Sequence, residues 1–111
     1  MATKKEYIEW VVETLKSDFP DISYRPMMGE YIAYINGKPL ITVCDNIVYV
    51  KIHDNIIALM SDAEVGYPYD GARLHYILDI EDKETAVLVL TELEKVTPLK
   101  KPRKTNFKII T

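Results

Sequence analysis

The sequence predicts an α+β domain: an antiparallel sheet, built as a three- to four-strand meander plus a later strand, flanked by helices. Three observations predict it. An amphipathic helical stripe occupies each end of residues 1–97. Between them, short β-branched and aromatic runs follow one another. Asn36-Gly37 and Asp45-Asn46 separate those runs by two residues each, too few for anything but antiparallel hairpins.

The first helix is expected over 3–18. Ile8, Val11, Val12, Leu15 and Phe19 recur at helical spacing, with Trp10 beside the stripe. Thr3 and Glu6 have the spacing of a capping box. Pro20 ends the helix, because the residue before a proline avoids helical backbone. A strand over 23–27 follows, placed at an edge by Pro26, which cannot donate to a ladder. Gly29 marks a change of direction, and Met27 with Met28 reads as core filling. Strands are expected over 30–35, 39–44 and 47–52.

Asp54 is a candidate N-cap for a short helix carrying Ile56, Ile57 and Met60. Residues 61–73 lose periodicity around Gly66, Pro68 and Gly71, which predicts a long loop of functional interest. A strand over 74–80 comes next. Asp82 then caps a last helix that buries Ala86, Val87, Leu90 and Leu93. Thr97-Pro98 closes the domain, leaving 98–111 as a basic C-terminal tail that regains strand propensity over 106–111.

Val, Ile, Leu and Phe supply 33 of 111 residues, enough apolar content for one core at this length. The lone Cys44 excludes an internal disulfide and a multi-cysteine zinc site. No apolar run approaches the ~20 residues of a membrane span, and the N-terminus lacks the apolar core of a leader. A cytoplasmic protein with no membrane association is the expectation. The net charge of −3 hides an asymmetry: residues 1–96 hold nine Lys and Arg against 17 Asp and Glu, while 97–111 hold five basic residues and no acid. Lys100, Lys101, Arg103 and Lys104 are therefore candidate nucleic-acid contacts, whereas an acidic body repels a phosphate backbone. A solubilising tail that folds back on the acidic body is the alternative.

No phosphate loop, nucleophile elbow or paired-histidine spacing occurs, so no catalytic residue, metal site or cofactor is expected. Cys44 reads as a small buried hydrophobe. Five of the eight tyrosines, Tyr24, Tyr31, Tyr34, Tyr49 and Tyr76, fall in predicted strands. The strand over 30–35 is apolar on both faces, which suits either ordinary packing on two sides or a face that meets a protein partner. Tyr67 and Tyr69 sit in the long loop. A homodimer is a further expectation, since twofold self-association is common. A small-ligand or enzyme site at 61–73, near His75, Cys44 or Arg73, is a third alternative.

Arg25-Pro-Met-Met-Gly-Glu-Tyr, the Tyr34-Ile-Asn-Gly-Lys38 hairpin, Val48-Tyr49-Val50-Lys51, Pro68-Tyr69 and Leu74-His75-Tyr76 resemble the TfoX N-terminal domain family, relatives of bacterial competence regulators. The resemblance spans about residues 1–96. It implies an antiparallel sheet flanked by helices, of the kind also found in secretion chaperones. It implies no enzymatic activity and a regulatory role connected with transcription of competence genes. Longer relatives add a C-terminal helical domain; a stand-alone N-terminal domain is the expectation here. Within the shared motif, Gly29 holds the bend and Arg25 can bridge it to Glu30. Arg25, Glu30, Tyr31, Tyr34, Tyr67 and Tyr69 form the candidate partner-binding set, against a purely structural role at the hairpin corner.

Overall fold

The computed structural model describes residues 3–99. Its elements run α1 (Lys5–Leu15), β1 (Ser23–Met27), β2 (Glu30–Ile35), β3 (Lys38–Cys44), β4 (Ile47–Lys51), a 3-10 turn (Asp54–Ile56), β5 (Val65–Gly66), β6 (His75–Ile77) and α2 (Lys83–Val96). The strands form one antiparallel sheet in the order β1-β2-β3-β4-β6-β5. The expected α+β architecture is present, and β1 with its Pro26 lies at an edge.

Three two-residue turns build the meander. Met28-Gly29, Asn36-Gly37 and Asp45-Asn46 all have positive φ, at 51° and 87°, 54° and 77°, and 55° and 60°. Such turns match the right-handed twist of the strands they join. The β2–β3 ladder carries a bulge: Ala33 pairs with Ile41 but Tyr34 pairs with Pro39, so Leu40 is the extra residue.

Alternation along the strands divides the sheet into two faces. Ala33, Ile35, Ile41, Val43, Val48 and Val50 point toward the helices and are buried. They meet Ile8, Val11 and Leu15 of α1 and Ala86, Val89, Leu90 and Leu93 of α2 in one cluster. Val89 takes the buried place expected for Val87, which is half-buried. Asp82 caps α2 as expected, accepting from the Thr85 amide at 3.4 Å. At the other end of the helix, the Thr97 hydroxyl donates to the Leu93 carbonyl at 2.7 Å.

Several expectations are corrected. Thr3 makes no capping box with Glu6; α1 begins after Lys4, which has no side-chain cap. The Thr3 amide and hydroxyl instead donate to Glu30 Oε1, at 3.0 and 2.6 Å. Tertiary partners across the sheet outcompete the local motif. α1 ends at Leu15, so Phe19 sits beyond it, its amide donating back to the Leu15 carbonyl at 2.9 Å. Met28 is 99% exposed rather than core filling, because it occupies the first turn position of the β1–β2 hairpin. His53, not Asp54, caps the short 3-10 turn, its Nδ1 accepting from the Asn55 amide at 3.4 Å. The long loop contains a strand: Val65 and Gly66 pair with Tyr76 and His75. The strand expected over 74–80 is confined to His75–Ile77.

Candidate functional site

The face of the sheet turned away from the helices carries the site. Its strand positions are Met27, Ile32, Tyr34, Thr42, Tyr49, Lys51 and His75, the alternates of the core-facing residues. Toward β6 this face is closed. Tyr49 is buried there, edge-on to the His75 ring at 6.3 Å. Gly66 of β5 lies beside that ring, where a Cβ would make an ordinary van der Waals contact with Tyr49 Cε1 at 3.4 Å. Toward β1 and β2 the face is open, and a cavity of about 870 Å³ lies over Met27, Ile32, Tyr34 and Thr42. Its far wall is the segment from Tyr69 to Leu74, and Pro39, Lys51 and Ile52 close one end.

The wall is positioned by local bonds. The Ala72 amide donates to the Tyr69 carbonyl at 3.1 Å, and Gly71 takes φ 86°. His75 is 8% exposed and its Nδ1 lies 2.7 Å from the Arg73 carbonyl. A carbonyl only accepts, so Nδ1 carries the proton and fixes the backbone from which Arg73 extends. Lys51 and Arg73 are the charged residues lining the cavity, and no carboxylate lines it.

The predicted partner-binding residues divide. Tyr34 and Tyr69 come together in this cavity, and Tyr69 is 54% exposed. Tyr67, at 65% exposure, stands outside it. Tyr31 belongs to the helix-covered face, edge-on to Tyr24 at 5.6 Å. Arg25 is exposed opposite Ile32, and it is not bridged to Glu30. Glu30 Oε1 accepts from Thr3 and from the Asp45 amide at 3.0 Å, which ties the start of α1 to two hairpins. Burial works to raise the Glu30 carboxyl, but hydrogen bonds from the Thr3 hydroxyl, the Asp45 amide and the Thr3 amide outweigh it. They hold it below the ordinary value. Lys100, Lys101, Arg103, Lys104 and the strand propensity of 106–111 lie outside the described residues.

Sequence reasoning missed Met27, Ile32, Thr42, Lys51 and Leu74 as cavity lining. The available signal was β2 itself, whose apolar residues fall on both parities. The cavity also uses part of the 61–73 loop proposed as a ligand site, including Arg73, together with His75 just beyond it. Cys44 does not line it. Burial, then the charges of Glu30 and Asp45, push the Cys44 thiol up to about 11, which leaves it protonated near neutral pH. Among the described residues no three His, Cys, Asp or Glu side chains gather as metal ligands, and no helix is long and apolar enough to cross a membrane.

A second cavity, about 730 Å³, has the opposite character. Trp10 and Tyr7 of α1, 5.6 Å apart, share it with Asp62, Glu64, Asp79, Glu81 and Asp82. Burial first, and then the charges of Glu81 and Asp79, raise the Tyr7 phenol.

No family model and no solved structure matches the chain. A protein of Spirochaeta aurantia, described as an uncharacterized 12.7 kDa protein in the trpE 5′ region, is 30% identical over 112 residues. The alignment covers 97% of this chain and 95% of that protein.

Proposed function

This chain belongs to the family of the Spirochaeta aurantia 12.7 kDa protein, and we propose that it is a non-enzymatic interaction module whose open sheet face docks a protein partner. The observation that carries this reading is the asymmetry of the sheet. Helices cover one face, while the other presents Met27, Ile32 and Tyr34 beneath a cavity walled by Tyr69 and Leu74. Apolar and aromatic side chains gathered in one concave surface favour recognition. The high thiol pKa of Cys44 supports a non-catalytic role for the one cysteine. The resemblance of the β1–β2 motif to TfoX N-terminal domains supports a regulatory, cytoplasmic setting, connected with control of transcription.

Affinity capture from bacterial lysate, with the intact chain and with Ile32→Glu and Tyr34→Ala variants, tests the reading. A specific partner held by the intact chain and lost by both variants is the expected result. A partner held equally by all three, or by none above control, would remove the sheet face from the account.

A further inference from the structure

The partner's chemistry follows from the charges around the open face. Residues 3–99 hold nine Lys and Arg against 17 Asp and Glu, a net charge of −8. Lys38, Lys83 and Lys95 pair with Glu94, Asp18 and Glu92 at 2.9, 3.2 and 3.0 Å, and the other six make no ion pair with a described residue; what sets two of those six apart is a shared apolar cavity that no carboxylate lines. Lys51 and Arg73 make no ion pair with any described residue, although both line the 870 Å³ cavity. Arg25 joins them, exposed and unpaired among the described residues at the register position opposite Ile32. Asp70 lies in the wall segment but does not line the cavity.

We propose that this groove takes an extended acidic peptide segment of a partner protein. The segment's apolar side chains sit on Met27, Ile32 and Tyr34, and its carboxylates meet Lys51 and Arg73. The proposal rests on the reading of the open face as a docking surface and adds the charge and form of what docks. Two arguments favour a peptide over a nucleic acid. The apolar floor matches alternating side chains. The net −8 of the body opposes a polyanion over its whole length, whereas one or two carboxylates meet only the local cations. Arg73 is exposed, and an arginine guanidinium suits a carboxylate especially well because its planar fork can donate two parallel hydrogen bonds.

The test is an NMR titration of the full ¹⁵N-labelled chain with three probes. One is a blocked peptide alternating Glu with Val and Tyr, the second has Lys in place of every Glu, and the third is an oligothymidine. The Glu peptide is expected to shift the amides of Ile32, Tyr34, Thr42 and Arg73, binding roughly tenfold or more tighter than the Lys peptide, the scale of two exposed charge pairs. The Lys51→Glu, Arg73→Glu double variant, both residues exposed, is expected to reverse the preference while keeping a dispersed spectrum. Lys16→Glu should leave it unchanged. Equal binding of the two peptides at these amides would overturn the charge assignment while leaving the docking face standing. Tighter binding of oligothymidine there would replace the peptide with nucleic acid. No shift at these amides with any probe at millimolar concentration would overturn the groove as a peptide site, whether or not capture through Ile32 succeeds.

Discussion

Glu30 accepts three hydrogen bonds through one oxygen, from the Thr3 amide, the Thr3 hydroxyl and the Asp45 amide. Its carboxyl is held below the ordinary value, so this contribution to stability is present above the unfolded glutamate range and is lost as pH falls through the lower folded value. Replacing Glu30 by Ala should destabilise the chain by about 1 kcal/mol, discounted for partial exposure, and flatten the acid limb of its denaturation profile. Urea midpoints measured at neutral and acid pH check this; an unchanged acid limb would show that Glu30 titrates alike folded and unfolded. Met28 presents the reverse situation. A fully exposed methionine at φ 51° gains little from packing and carries the left-handed penalty. Met28→Asn should raise stability by about 1 kcal/mol, because Asn-Gly suits this turn. A lowered melting temperature would show that the side chain contributes contacts of its own.

The same physics explains which elements were legible. Turn residues announced the meander because positive φ is a local property, and Asn36-Gly37 and Asp45-Asn46 behave as their types dictate. Asp82 declared its helix through an equally local device, a side-chain carboxylate that accepts from the Thr85 amide. Thr3 misled because its hydroxyl had two suitors, a local amide and a distant carboxylate, and only folding brings Glu30 within 2.6 Å. β5 was illegible because two residues carry no periodicity; Val65 and Gly66 are strand only by virtue of β6. The candidate site was half legible: Tyr34 and Tyr69 could be singled out, but that the segment from Tyr69 to Leu74 stands over β1 and β2 is settled only when the sheet assembles. Gly37 links turn and helix scales. With φ 77° and a Cβ position 3.2 Å from Leu99 Cδ2, Gly37→Ala should destabilise by at least ~1 kcal/mol. Thermal melts of this variant against Gly71→Ala, where φ is 86° but the space is open, separate backbone strain from the clash.

At the scale of the whole molecule, one sheet serves two purposes by assigning alternate residues to opposite jobs. Ile41 on β3 is almost fully buried beneath the helices, whereas Ile32 on β2 is half-buried on the open face. Truncation therefore has different meanings on the two faces. Ile41→Ala removes contacts on every side and leaves a cavity, which typically costs ~2–5 kcal/mol. Ile32→Ala removes only the contacts made by a side chain already facing water, so a cost of about 1 kcal/mol is expected. Denaturation of both variants at several protein concentrations is the decisive measurement. A large gap between them, independent of concentration, is the outcome expected if the open face awaits a different protein. Equal losses with a melting temperature that rises with concentration would mean that Ile32 is already buried in solution against a second copy. The groove would then be the interface of a homodimer, and its free cations would have to be satisfied by acidic residues of the same chain.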